Sequence, residues 1–219
     1  MDETPAFVAL RAAGPVARTP AVQALRQFPG AMIGVLAIHG FAALAFYLLV
    51  AYLPSFLQSV AGLALAQALP IFTLNYLVQV LLIPPMAAIS DRVGRKPMLL
   101  VWGSGLVLLS YPLFVVLSHG GIEYAALGVL LFGTWSTIGS GSMLTLTAEA
   151  FPTRIRYSAL AISYNLGVSL FGGTAPLLGT YLVAATHNPL APAFMLMVAG
   201  VVALGMLGRL PDRHGQPLV

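Results

Sequence analysis

From Gln27 to Ser90 the chain has no Asp, Glu, Lys or Arg. One crossing of a lipid bilayer takes roughly 20 apolar residues, so this stretch is long enough to cross, turn and cross again. No water-soluble fold tolerates such a composition. A soluble domain carries roughly 25% charged residues, against 7% here, with 59% hydrophobic residues and a mean hydropathy of +0.93. A soluble enzyme, a disordered chain and a nucleic-acid binder are therefore excluded, and the solvent of most of the chain is lipid. Cysteine is absent, which rules out disulfides and thiolate metal sites. No metal-ligand spacing is present and no cofactor is expected. The amino terminus does not have the form of a signal peptide. Asp2 and Glu3 come first, and the segment stays polar and proline-punctuated to Pro29.

The long uncharged stretch breaks where Pro54, Ser55, Gln58, Ser59 and Gly62 cluster. This predicts one span over about 31–56 and a second over about 66–89. The same reading continues with spans over about 97–118, 124–148, 157–184 and 191–208, interrupted at His119-Gly120-Gly121, Glu149 to Pro152, and His187-Asn188-Pro189. The expected fold class is an all-α polytopic membrane protein of six transmembrane helices. Residues 1–29 are read as a cytoplasmic linker, 30–208 as the transmembrane domain and 209–219 as a cytoplasmic tail.

Charge tests this count. Arg11, Arg18 and Arg26 precede the first span, and Arg92, Arg95 and Lys96 lie between the second and third. Arg154 and Arg156 lie between the fourth and fifth, and Arg209 and Arg213 follow the sixth. The remaining three connections hold no Lys or Arg. Every basic residue thus falls on one side, which the positive-inside rule makes cytoplasmic, with both termini inside. Prolines and glycines inside the spans, such as Pro70, Pro84, Pro85, Gly133 and Gly172, suit helices that approach closely and bend.

Two charged motifs carry the most information. Ser90-Asp91-Arg92-Val93-Gly94-Arg95-Lys96-Pro97 packs a charge cluster into a very short link. Gly94 permits a tight turn with positive φ, Asp91 can accept from amides at a helix N-terminus, and the arginines can pair with a carboxylate. The second motif runs from Glu149 through Phe151-Pro152-Thr153-Arg154-Ile155-Arg156-Tyr157-Ser158. Glu149 is read as an interfacial residue, so that no span holds a buried Asp or Glu.

The first loop resembles the cytoplasmic signature of the major facilitator superfamily, as it occurs between the eighth and ninth helices. One departure is Ala87, where that pattern usually has glycine. The Glu149–Arg156 spacing is similar to the acidic–six–arginine motif after the tenth helix. The run through Tyr164-Asn165-Leu166-Gly167 and Phe171-Gly172-Gly173 resembles the metabolite:proton symporter family. Tyr52-Leu53-Pro54-Ser55-Phe56-Leu57, Pro192-Ala193-Phe194 and Glu3-Thr4-Pro5-Ala6-Phe7 resemble its proline/betaine members. The resemblance covers essentially the whole chain, but only as the C-terminal half, helices seven to twelve, of a twelve-helix carrier. It implies a truncated gene, a fragment or a subunit of a split carrier, in the cytoplasmic (inner) membrane.

The resemblance also implies what to look for. The function would be secondary active transport of a small polar metabolite, proton-coupled in the family's manner, by alternating access and not as an enzyme. Partners would be the lipid bilayer, the substrate, protons and an N-terminal six-helix half. The substrate site of such carriers lies near the bilayer midplane, and polar groups inside spans are costly unless used. Candidates for the substrate path are His39, Tyr47, Asn75, Gln79, Trp135, Tyr164 and Asn165. Ser136 and Ser140 are expected to bond carbonyls of their own helix. The cytoplasmic gate is assigned to Asp91, Arg92, Gly94, Arg95, Lys96, Glu149, Arg154 and Arg156. His39 is the only titratable side chain well inside a span, so a proton-coupling carboxylate is expected in the other half. No Lys or Arg lies inside a span, which leans toward a zwitterion. The alternatives are a rhomboid-type protease, which Gly139-Ser140-Gly141-Ser142 does not fit, and a non-transporting or vestigial membrane subunit that pairs with another half-carrier.

Overall fold

The computed structural model describes residues 19–210. Glu3 to Phe7, Arg11, Arg18, Arg213 and most of the expected tail lie outside the described residues. Within them the chain is helical, with no strand. We number the helices α1 (Pro20–Gln27), α2 (Pro29–Ser59), α3 (Leu65–Val93), α4 (Arg95–Ser118), α5 (Ile122–Glu149), α6 (Thr153–Thr186) and α7 (Ala191–Leu207). Helices α2 to α6 are long and apolar enough to cross a membrane, and α7 is a shorter apolar helix of 17 residues. At 1.5 Å per residue α7 is about 26 Å long, at the lower end of what a span needs.

Helix α1 was not expected. Pro20 opens it from the first turn, where proline costs no hydrogen bond. It packs against α6 and buries Ala24, so part of the segment read as linker is folded onto the bundle.

Helices α2 to α7 form a chain of neighbours in the order α3, α5, α4, α7, α2, α6. Exchanging α2–α4 with α5–α7 reverses this order and leaves it unchanged. The two triplets are therefore interleaved as equivalent units, and α2 touches α5 where they meet. The end members of the order are the least enclosed. Only 17% of the most apolar window of α6 and 22% of that of α3 is buried, against 61% for α2.

Lipid offers little hydrophobic drive for helices to associate, so close backbone approach at small residues has to supply contact. Gly40 on α2 and Gly167 on α6 cross so closely that a Cβ at Gly167 would strike the Leu36 carbonyl oxygen and lie 3.1 Å from Gly40 N. Gly200 on α7 sits against α4, where a Cβ would lie 2.9 Å from Gly103 O. On α5, Gly141 meets the Ala87 backbone of α3 at 2.8 Å in the same sense.

The first span runs on through Pro54 to Ser59, a few residues past the expected end. A single π-helical turn over Leu48–Tyr52 explains how. Proline has no N–H and its ring crowds the carbonyl four residues back. The wider turn, with Leu53 N bonded to Leu48 O, shifts the register before Pro54 is reached. A second such turn over Val168–Gly172 precedes Pro176 on α6. Gly94 alone links α3 to α4, with φ +106°. An L side chain there would be strained, as the sequence predicts.

Candidate functional site

Two groups of polar side chains stand out, one in the middle of the helices and one at the α3–α4 turn. In the middle, Asn75 is fully buried, and neither Oδ1 nor Nδ2 has a hydrogen-bond partner. It is seated on Gly133 of α5, where even a methyl group would overlap its amide. One turn further along α3, Gln79 also has a buried, unpartnered Nε2. Gln79 lines a cleft of about 80 Å³ together with Phe46, Trp102, Ser136, Ser140 and Met143. Ser136 Oγ donates to Phe132 O at 2.9 Å and Ser140 Oγ to Ser136 O at 3.0 Å. Their protons are thus committed to their own helix, as expected, and their lone pairs remain.

An unpaired buried polar group costs about 1–3 kcal/mol, and an apolar replacement of the same shape removes that cost. Asn75→Leu is therefore expected to stabilise the protein by about 1–3 kcal/mol in denaturant titrations in detergent. A loss of stability would mean that the amide has a partner, such as an ordered water.

His39 is buried where α2, α5 and α6 meet. Its Nε2 lies 2.9 Å from Thr147 Oγ1, and its ring meets Tyr164 edge-on with centroids 4.9 Å apart. The Thr147 hydroxyl donates to Met143 O at 2.9 Å, which leaves its oxygen to accept from the imidazole N–H. His39 and Tyr164 are thus brought together, whereas the other candidates are not gathered with them. Tyr47 stacks edge-on against Phe46 at 5.6 Å beside Gly172. Trp135 packs onto Gly105 of α4 and donates from Nε1 to Trp102 O at 3.1 Å, so it ties α5 to α4. Asn165 is exposed and bonds Ala161 O of its own helix at 2.7 Å. Sequence reasoning missed Thr147, Trp102 and the seat at Gly133. A threonine or glycine in an apolar helix signals nothing until its neighbour is known.

At the α3–α4 turn, Arg95 bridges two carboxylates. Nη1 is hydrogen-bonded to Glu149 Oε1, and Nη2 lies 3.6 Å from Asp91 Oδ1. The carboxylate pairing expected of the arginines takes the form of this bridge, because the Gly94 turn sets Arg95 between α3 and the end of α5. Asp91 is 70% exposed and faces Arg95. Glu149 is corrected from an interfacial residue to a buried one, since it is the last residue of α5 and only 5% exposed. Arg95 is what makes its burial tolerable. Arg156 donates from Nε to Phe151 O at 3.1 Å. Arg92 and Arg154 are exposed and Lys96 is half-buried. No group of three or more His, Asp or Glu side chains able to hold a metal occurs among the described residues.

Known proteins agree with this architecture. The sequence pattern of the Major Facilitator Superfamily matches residues 35–218. The chain is 34% identical over 213 residues to the ectoine/proline transporter ProP of Corynebacterium glutamicum, covering 94% of this chain and 42% of that protein. It is 33% identical over 159 residues to the proline/betaine transporter of Escherichia coli strain K12, covering 73% of this chain and 32% of that protein. A putative proline/betaine transporter of Staphylococcus aureus strain COL is 31% identical over 156 residues, 71% of this chain and 34% of that protein. The chain spans less than half the length of these relatives. Apolar helices of spanning length, the charged α3–α4 turn and a match over most of the sequence lead to one conclusion: this multi-pass membrane protein belongs to the major facilitator superfamily.

Proposed function

We propose that the chain is the C-terminal half of a proton-coupled secondary transporter for a small polar metabolite, working by alternating access. The observation that carries this is the unpartnered amide pair Asn75 and Gln79, placed mid-span where such groups are costly unless used. The substrates for which the relatives are named make proline, betaine and ectoine the first to try. An N-terminal six-helix half would complete the site. The exposed faces of α3 and α6, the least enclosed long helices, are where it would pack. The described spans have no carboxylate in their middle, so the coupling acid is assigned to that other half. The cytoplasmic membrane follows from the same reading.

The Asp91–Arg95–Glu149 bridge serves in this proposal as part of the cytoplasmic gate, with Arg92, Lys96, Arg154 and Arg156 around it. Magnitudes limit what it does alone. An exposed pair such as Asp91–Arg95 contributes about 0–1 kcal/mol, whereas inverting a two-state population from 1:99 to 99:1 takes about 5.5 kcal/mol of differential binding. The gate is therefore a network in which Asp91 adds one increment.

The test is uptake of labelled proline and glycine betaine by the complete gene product in cells that take up neither compound on their own, with and without a pH gradient. Gradient-dependent uptake is expected. Membrane-inserted protein with no uptake of either compound would overturn the reading in favour of a non-transporting subunit. Asp91→Asn is expected to change the maximal rate about fivefold, which corresponds to ~1 kcal/mol, at unchanged membrane abundance. Unchanged kinetics would remove Asp91 from the gate.

A further inference from the structure

Helices α2 and α6 part around a cavity of about 590 Å³, within the roughly 300–1,000 Å³ of small-molecule sites. It lies at the end of the bundle opposite the basic loops. Tyr52 is seven residues from the end of α2 at Ser59, and Thr180 is six from the end of α6 at Thr186, or about 9–10 Å along the axis. The links that follow, 60–64 and 187–190, hold no Lys or Arg, so the positive-inside rule places this mouth outside. The helices part here for a local reason. They stay in contact as far as Gly179, where a Cβ would lie 3.2 Å from Leu48 Cδ2 and from the Tyr52 ring. Beyond it α6 turns Thr180 and Val183 to the cavity, across from Tyr52, Ser55, Gln58 and Ser59 of α2.

The wall is polar, and no Asp, Glu, Lys, Arg or His lines it. Ser59 Oγ donates to Ser55 O at 2.9 Å and Thr180 Oγ1 donates to Pro176 O at 2.9 Å. Both oxygens are thus left to accept. The Tyr52 hydroxyl and the Gln58 amide make no hydrogen bond among the described residues, and both can donate. Tyr52 is buried, ends the π-helical turn Leu48–Tyr52 and rests its ring on Gly179, so packing fixes where its hydroxyl stands. A cation or an anion would find no counter-charge on this wall. A purely apolar compound would leave the Tyr52 hydroxyl without a partner, at the cost that any unpaired polar group carries. A hydroxyl group donates and accepts at once, which matches a wall that mixes donors with acceptors. Val183 offers apolar area to a carbon skeleton.

We propose that this cavity is a binding site for a neutral polyhydroxylated group, a sugar or polyol, reached from the outer side. Tyr52 and Gln58 donate to its oxygens, and Ser59 and Thr180 accept from its hydroxyls, so that the bound group bridges α2 and α6. The cavity shares no residue with the mid-span cleft at Gln79, and the site does not depend on what the carrier transports.

The test is saturation-transfer NMR on the complete gene product in nanodiscs, prepared without sugar-headed detergents, with trehalose, choline, acetate and 1-hexanol as probes. Saturable binding of trehalose is expected, at least about tenfold tighter than that of the other three. Tyr52→Phe keeps the ring on Gly179 and removes only the hydroxyl, and it is expected to weaken trehalose binding about three- to tenfold. Gln58→Leu, at an exposed position where folding is not at stake, is expected to weaken it by a similar factor. Glycine betaine is expected not to displace trehalose. The same hydroxyls could be presented by a glycolipid, so the titration is repeated in discs containing diglucosyl diacylglycerol. Loss of trehalose binding there would identify a lipid headgroup as the natural occupant, and its persistence a dissolved compound. No saturable trehalose binding, equal affinity for the charged or apolar probes, an affinity untouched by both variants, or displacement by glycine betaine would each overturn the proposal.

Discussion

Arg95→Ala is expected to destabilise the protein by about 3–5 kcal/mol, the largest effect of any single substitution proposed. The reason is asymmetric burial. Asp91 is 70% exposed and solvates itself when its partner leaves, so that pair contributes about 0–1 kcal/mol. Glu149 has a side chain only 6% exposed and a second oxygen, Oε2, with no partner at all. Without Arg95 its charge is stranded at the α3–α5 contact. Unfolding in mixed SDS micelles, followed by far-ultraviolet circular dichroism, measures this. A double-mutant cycle isolates the cause. Arg95→Ala combined with Glu149→Gln is expected to recover most of the loss, because the stranded charge is gone. If the double variant is as unstable as the sum of the singles, the packing of the arginine stem, and not the charge, is what Arg95 supplies.

Gly167→Val is expected to open the α2–α6 contact and cost at least the usual 1–3 kcal/mol of an overpacked site, about 3 kcal/mol or more. Most glycine contacts in this bundle meet a side-chain end that can swing away. Gly167 meets backbone: the Leu36 carbonyl and the Gly40 amide nitrogen at 3.1 Å. Neither can move without moving α2. The consequence reaches further than stability, because His39 is one residue from Gly40 and contacts Tyr164 on α6. The chain has no cysteine, so a pair introduced as Phe41→Cys and Phe171→Cys, at rings whose centroids lie 4.6 Å apart, reads the distance between the two helices through a short bifunctional thiol cross-linker. Cross-linking in the parent and its loss in the Gly167→Val background is the expected result. Equal cross-linking in both would mean that the helices absorb the side chain by a local shift.

The Gly94 turn, the spans and the charged ends were legible in the amino-acid sequence for one physical reason. Lipid demands about 20 apolar residues per crossing and rejects charge, so Arg92, Arg95, Lys96, Arg154 and Arg156 mark ends wherever they fall. The structure adjusts this reading at particular residues. Pro54 does not end α2, because a π-helical turn takes up the strain before it. Glu149 is buried, because Arg95 reaches it from the next turn. Helix α1 was missed, since eight residues with no long apolar run do not register against the spans that follow.

What the sequence by itself determined is the order of the six apolar helices, the places where charge gathers and the family to which the chain belongs. What only the tertiary structure decided is which helix touches which, and therefore what each polar residue does. Asn75, Gln79 and His39 look alike in the sequence, as lone polar groups in apolar runs. Folded, one is sealed against Gly133, one borders a cleft and one bonds Thr147 across the bundle. A soluble helix announces its inner face by an apolar stripe, but these helices are apolar all round. Their faces are chosen by where small residues let backbones meet, a property of pairs of helices that no single segment carries.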